Sequence, residues 1–566
     1  MTSRLVRDIN PSGSSSPDEL IFIEGSLFFL ADSGQGASNA NNQPINEDAA
    51  SDEDEDSSSD SSQGDTDTNG DEESASNGEQ ASGAGPSTTG IGLWKSDGSE
   101  GGTTLIRAFD SASNLVEANG LLYFVAKTGE GYEIWSSDGT PAGTQRANTL
   151  YPGADNFAPY NLFAIDDVLF FSASGPSDSS NGYELWRWEG DGVGTKLFKN
   201  LFPDRYITQQ SIEFNEETGQ QELKIETAQF NTSDPEYSTD SFPQNFTSVG
   251  NGNFFFTAYS TNRVPATVDG FADEIQLGGI ELWYSDGTEN GTRPIRINEQ
   301  SYEIYNPTAG TASPPSIYDE VYTASGSSFP RELTAFNDTL FFTANDGIHG
   351  YELRSVDGDG EDEKLISDIN SSGSSTPKEL TVVGNKIYFT ADDGSGRFLY
   401  SYNPSKEQLI KIEQNGTQPR NLTEIDGSLY YSAYSSDGRE PWFINKNGIP
   451  SQLQDINPGP ASSNPSEFQL ITGKAKGKVN KTLYFTANNG AKGIELWSKS
   501  LNQSGEKARL NSDIFSGPSS SDPRKLINAE EDLFFTADNG KSGREFYVII
   551  IQNHGSTIHC YATACL

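Results

Sequence analysis

The sequence predicts an all-β fold, a single large β-propeller of four-stranded blades. Three observations predict it: an apolar run that recurs nine times, punctuation of the chain by Gly, Asn, Asp and Pro, and two chain ends that each match part of one repeat. The run ends in Ala and reads LFFLA at Leu27, LYFVA at Leu122, LFFSA at Leu169, FFFTA at Phe254, LFFTA at Leu340, IYFTA at Ile387, LYYSA at Leu429, LYFTA at Leu483 and LFFTA at Leu533. Where nothing is inserted, its Ala returns after 47 residues (Ala126 to Ala173, Ala344 to Ala391) or 50 (Ala487 to Ala537).

Each run follows a Pro-x-x-Leu segment and a turn, as in PRELTAFNDT from Pro330 and PKELTVVGNK from Pro377, which predicts one strand and a tight turn. Gly-x-Glu-Leu-Trp, Ser-Asp-Gly-Thr, Gly-Thr and an apolar run near Asp-Ile come next, so each repeat holds four strands. Their short aromatic and β-branched spans suit strands rather than helices. The Ser-Asp-Gly at Ser96, Ser137 and Ser285 reads as a hairpin turn with Gly at positive φ. Leu-Phe-Phe is apolar on consecutive residues, so both faces of that strand need cover, as a blade between two neighbours provides. LVRDI at Leu5 matches a fourth strand, and Arg544 to Ile550 a third. Pairing them closes the ring and removes two strand edges. Nine candidate blades exceed the usual four to eight, so eight, with one atypical repeat set aside, is the other count; an excerpt of a longer array is the alternative to a closed ring.

The propeller is expected over 1–550, with an irregular tail over 551–566. Three insertions interrupt the period. Residues 32–91 contain fifteen acidic residues and almost no apolar ones, a composition that predicts disorder. Residues 203–244 include SIEFNEETGQQELKIET, whose alternation around a turn predicts an added hairpin, and the Tyr- and Pro-containing 299–329 reads as a long loop.

Composition narrows the partners. With 82 acidic against 37 basic residues and a net charge of −45, the chain repels nucleic acid and anionic membranes. No apolar stretch is long enough to span a bilayer, and the start, MTSRLVRDINPSGSSS, has no signal-peptide apolar region. The only cysteines, Cys560 and Cys565, lie in the tail, so no disulfide framework is expected in the body.

Within the acidic insert, Asp65, Asp67, Asn69, Gly70 and Asp71 spell the first half of a Ca²⁺ loop, with Glu73 as an outer ligand. Ser76 stands where the loop needs a bidentate acid, so a solvated acidic linker that collects Ca²⁺ by charge density competes with a defined site. Trp94, Trp135, Trp186, Trp283, Trp442 and Trp497 recur at one point of the repeat, which argues for packing rather than sugar stacking. The Glu of Glu-Leu-Trp (Glu133, Glu184, Glu281, Glu352, Glu495) and the Asp of Asp-Ile (Asp8, Asp368, Asp455, Asp513) read as blade-to-blade hydrogen-bonding groups, with a ring of carboxylates as the alternative. His349, His554 and His559 are the only histidines, and their setting matches no catalytic or zinc pattern.

GYEIWSSDGTPAGT from Gly131, GIELWYSDGTENGT from Gly279 and DINPGPASSNPSEF from Asp455 resemble the ELWxxDGT repeat family of bacterial tandem-repeat surface proteins. The resemblance covers nearly all the chain outside the insertions and tail. It departs at Arg354, where Trp is expected, at Phe398 to Tyr400 and at Pro441 to Phe443, and irregular blades are expected there. It implies an extracytoplasmic habit and brings no catalytic residues. The expectation is therefore a monomeric, non-enzymatic, secreted or cell-surface protein that binds macromolecules, a polysaccharide or cell-envelope component, with Ca²⁺ as an aid. The alternatives are a propeller glycosidase or polysaccharide lyase using acids at the channel mouth, and a purely structural module of a surface array.

Overall fold

The structure, a computed structural model, describes residues 3–550 apart from 35–89, 149–158, 175–181, 230–240, 304–320 and breaks of one to four residues. Nine four-stranded antiparallel sheets form a ring, a nine-bladed propeller. Blades 1 to 8 begin at Asp18, Ser111, Tyr160, Gln244, Arg331, Lys378, Thr417 and Ser466, and each runs outward as an uninterrupted meander. Blade 9 takes its first three strands from Arg524–Ala529, Asp532–Asp538 and Arg544–Ile549 and its fourth from Arg4–Arg7 at the other end of the chain. Leu5 lies opposite Tyr547 and Arg7 opposite Phe546. The first strand of each blade touches the first strands of both neighbours, and the contact between blades 9 and 1 completes the circle. These inner strands line the central channel.

Consecutive apolar residues in the second strand explain the ring. Phe28 faces blade 2 and packs with Leu122, Phe124 and Trp135. Its neighbour Phe29 faces blade 9 and packs with Phe534 and Phe546. Strand alternation thus feeds two separate cores from one sequence run. Nine such clusters occur, one per blade interface. All five residues from Leu27 to Ala31 are buried.

The irregular repeats keep the same register. Phe29 lies opposite Trp94, and the equivalent pairs are Phe342 with Arg354, Phe389 with Tyr400, and Tyr431 with Trp442. The expectation of irregular blades there is corrected for this pair of second and third strands, whose register is kept. Blades 6 and 7 nevertheless lack the bulge that blades 1, 2, 3, 5 and 8 show between third and fourth strands, and the first strand of blade 7 shifts register twice. Arg354 occupies the Trp position while buried, since Asp346 Oδ2 lies 2.9 Å from its Nη1 and Glu363 accepts from Nε and Nη2 at 2.5 and 3.2 Å. A buried guanidinium is tolerated when its donors are taken up this way.

The propeller has two distinct faces. One carries the turns between first and second and between third and fourth strands. There Asp138 Oδ1 accepts from the Thr140 N–H and hydroxyl at 2.8 and 2.7 Å. Gly139 sits at φ +83° with the Phe28 ring only 2.9 Å from where a Cβ would stand, so no other residue fits that turn without displacing the neighbouring blade. The opposite face carries the connections from second to third strands and the crossovers from each fourth strand to the next first strand.

All three insertions leave and rejoin the ring on that crossover face. Residues 203–244 contribute the hairpin Tyr206–Asn215 with Gln220–Gln229. Residues 299–329 are not loop throughout, because Glu299–Glu303 pairs with Val321–Ser325. The second and third strands of blade 4 also extend together as Asn253–Val268 and Phe271–Ser285. Val321–Ser325 runs against both. Most of the insert 32–91 and the whole tail 551–566 lie outside the described residues.

The fourth strand of blade 9 should be separable from the rest. Removing residues 1–9 uncovers the edge of Arg544–Ile549 and the Phe546 side chain, so the shortened chain should melt lower and self-associate, as size-exclusion chromatography and thermal melts would read.

Candidate functional site

The repeated polar residues are mostly spent on joining blades. Glu545, at the Glu position of Glu-Leu-Trp, accepts from the Ile9 N–H at 3.3 Å, the Ser15 N–H at 3.0 Å and the Ser15 hydroxyl at 2.6 Å. Ile9 and Ser15 lie in the crossover to blade 1. Glu352, Glu440 and Glu495 repeat the arrangement with Ile369 and Ser375, Ile456 and Ser463, and Ile514 and Ser521. Glu184 takes the Leu201 N–H and the Ser241 hydroxyl. Glu281 takes the Ser328 hydroxyl at 2.6 Å. Each Glu therefore pins one crossover onto the third strand of its blade. Glu133 instead pairs with Arg146 at 2.8 Å.

Burial raises the pKa of Glu281 to about 8 and of Glu545 to about 7, against the opposing pull of their hydrogen bonds. Glu352, Glu440 and Glu495 move the same way for the same first cause. The Asp of Asp-Ile stands beside four of them: Asp368, Asp455, Asp513 and Asp8 push Glu352, Glu440, Glu495 and Glu545 further up.

The Trp side chains are core. Trp94, Trp135, Trp186, Trp283 and Trp497 are buried, and Trp442 is partly buried. Trp135 is typical, with Phe109 edge-on at 5.0 Å and the Arg107 guanidinium 4.5 Å from its ring. Asp65, Asp67, Asn69, Asp71 and Glu73 lie outside the described residues, as do His554 and His559. Among the described residues no group of three or more His, Cys, Asp or Glu is placed to hold a metal ion. His349 donates from Nδ1 to Asp346 Oδ2 at 2.8 Å on the crossover side of blade 5.

The channel is built from residues to which the sequence patterns assigned no role. The first strand of every blade bulges, as the shift between Asp18 and Ile21 shows for blade 1. The residue just before the Leu or Phe takes positive φ: Glu19, Asn114, Asn161, Asn245 and Glu332, then Glu379, Asn421, Glu467 and Lys525. Several of these side chains reach the next blade. Glu19 accepts the Leu115 N–H at 2.7 Å, Asn114 the Asn161 N–H at 2.7 Å, Glu332 the Glu379 N–H at 2.7 Å and Glu379 the Leu422 N–H at 2.8 Å. The signal was present as Glu or Asn before Leu in segments otherwise read as strands, since such residues are depleted inside strands and Asn tolerates left-handed backbone.

A second left-handed residue precedes the Pro of most crossovers. It is Ser16, Thr376, Asn464 or Asp522 in four blades, but Phe242 in blade 4 and Phe329 in blade 5, at φ +46° and +44°. Both Phe side chains are exposed, by 37% and 44%. Phe242 stacks on Tyr183 at 5.4 Å, and Tyr183 meets Tyr160 edge-on at 5.4 Å. Tyr259, at the outlet of the second strand of blade 4, is 41% exposed. The crossover-side mouth of the channel thus has an aromatic sector over blades 3 to 5.

No family model matches the sequence, and no curated protein matches it. Among solved structures the chain is similar to a puromycin hydrolase mutant complexed with PGG, at 10% identity over 85% of this chain and 60% of that one, with a TM-score of 0.34. It is also similar to an oligogalacturonate lyase in complex with manganese (10% identity, 76% and 85% covered, TM-score 0.33). A third is the β-propeller domain of the Trilobed protease from Pyrococcus furiosus (8% identity, 78% and 96% covered, TM-score 0.30). The chain spans about 60% of the length of the puromycin-hydrolysing proteins it matches.

Two outcomes follow from the buried groups. The raised pKa of Glu281 means that the native state binds more protons than the unfolded chain between pH 4.5 and about 8, so stability is greatest at the acid end of that window and falls as pH rises through it. Thermal melts should show this decline, and Glu281→Gln should flatten it. Trp135→Ala should cost roughly 3 to 5 kcal/mol through the cavity it leaves, measured by denaturant unfolding.

Proposed function

We propose that this chain is a non-enzymatic, secreted or cell-surface binding protein whose crossover-side channel mouth holds a polysaccharide. The observation that carries the reading is the pair Phe242 and Phe329. Each bulky side chain is partly exposed on left-handed backbone, a conformation that costs about 1 to 3 kcal/mol per residue. Four equivalent crossovers place small or polar residues there, so the fold does not require Phe. An exposed aromatic face beside Tyr183 and Tyr259 is a surface on which the C–H face of a sugar ring packs.

Several acids of the inner strands support binding over glycan cleavage. Cleavage by paired carboxylates needs one acid free to give a proton and another free to act as base or nucleophile. Glu19, Glu332 and Glu379 are instead engaged as acceptors of N–H groups from the adjoining blade.

A glycan array with the full chain tests the reading, using Phe242→Asn/Phe329→Asn as the comparison. Asn already occupies this position at Asn464 with φ +48°, so the double variant should keep its melting temperature within a few degrees while losing most glycan binding. Undiminished binding by that variant, or no glycan bound by the parent chain, would overturn the proposal.

A further inference from the structure

We propose that the ligand is an anionic polysaccharide, its acid groups held by a cationic arc on the inner strands of blades 5 to 9. This inference rests on the preceding one and adds the chemical class of the sugar. At the inner-strand position just before the bulge, the blades from 1 to 9 carry Asp18, Ser113, Tyr160, Gln244, Arg331, Lys378, Arg420, Ser466 and Arg524. Cations appear there only in the second half of the ring.

The start of the third strand, on the same face, divides the same way. Tyr132, Tyr183 and Tyr351 stand in blades 2, 3 and 5, whereas Arg397, Arg439 and Arg544 stand in blades 6, 7 and 9. Two independent positions of the repeat therefore agree on one cationic sector beside the aromatic one. The third-strand arginines hold their own blades, Arg397 through the Thr376 carbonyl at 3.0 Å, the buried Arg439 through Ser432 at 3.3 Å and Arg544 through the Asp522 carbonyl at 2.9 Å, so the exposed inner-strand cations are the ones offered to a ligand.

The cations also crowd one another in a protein of net charge −45. Lys378 and Arg420 are exposed, and their side chains make no hydrogen bond or ion pair among the described residues. Burial lowers the pKa of Arg397 and Arg439; the field of Arg420 adds to this, while Asp392 and Glu379 beside Arg397, and Tyr434 and Glu379 beside Arg439, act against it. Arg524 and Arg544 share Asp522 between them, at 2.6 and 3.0 Å, so Lys378 and Arg420 are the cations of the arc left open to a ligand. Like charges gathered at a channel mouth raise the local concentration of anions and are relieved when one binds. An acidic polysaccharide alternates ring faces with carboxylate or sulfate groups, which matches an aromatic sector adjoining a cationic one; Arg331 joins the two, its guanidinium 4.0 Å from the Tyr351 ring.

The test is direct binding of the full chain to alginate, dextran sulfate, neutral dextran and polyaspartate. Alginate or dextran sulfate should bind, with the tighter of the two naming the acid group, and salt should weaken the complex. Lys378→Gln/Arg420→Gln should weaken it about tenfold at unchanged melting temperature, because each exposed pair lost is worth a factor of a few. Lys406→Gln, on the opposite face, should change nothing. Equal binding of neutral dextran, or an unaffected double variant, overturns the anionic assignment and leaves polysaccharide binding standing. Equal or tighter binding of polyaspartate overturns the saccharide assignment. Failure of every polysaccharide removes the parent reading as well.

Discussion

The structure depends on the buried carboxylate that holds the crossover at six of the nine blade junctions, those following blades 3, 4, 5, 7, 8 and 9. A propeller chain must leave the outer edge of one blade and return to the inner edge of the next, and that crossover presents backbone N–H groups with no sheet partner. The Glu of the third strand supplies the acceptor, and a Ser hydroxyl from the crossover shares it, as with Glu545, Ser15 and Ile9. Placing an acid there is unfavourable for the charged form, which is why Glu281 and Glu545 titrate so high. It persists because removing the acceptor leaves buried donors unmet, a larger penalty than the desolvation of one well-bonded carboxylate.

Once the junctions are held, the cores follow from strand alternation. One run such as Leu-Phe-Phe sends alternate residues into two neighbouring interfaces, so each second strand is shared material for two blades. The same logic explains why Arg354 can stand for Trp: its interface is already supplied by Phe342, Phe255 and Tyr284, and local acids take its donors. Ring closure is one more instance of a junction, made with a strand from the other end of the chain.

The channel mouth differs from the rest because its residues are not demanded by packing. The bulge in every inner strand turns one side chain per blade toward the adjoining blade and leaves its predecessor at the channel edge. Whatever sits at that edge is free to vary, and in this chain its cations, Arg331, Lys378, Arg420 and Arg524, fall in blades 5, 6, 7 and 9. A strongly acidic protein with a basic arc at its mouth repels most anions at long range while offering a short-range site to one that also stacks on rings.

The sequence by itself determined the blade type, the number of repeats, the strand that each end contributes to the last blade, and the structural role of the repeated Glu and Trp. Periodicity reports these because packing demands the same residue at the same point of each turn of the ring. The tertiary structure alone decided the regular register at Arg354, Tyr400 and Trp442, the pairing within 299–329, and the channel mouth. Glu19 and Glu379 read as ordinary strand residues until the bulge and the neighbouring blade are present. Phe242 and Phe329 share only the Ser-Phe-Pro of their crossovers, Lys378 and Arg420 stand at a variable position, and the four are far apart in the chain. What brings them to one rim is the ring's curvature, a property of nine interfaces acting together rather than of any local segment.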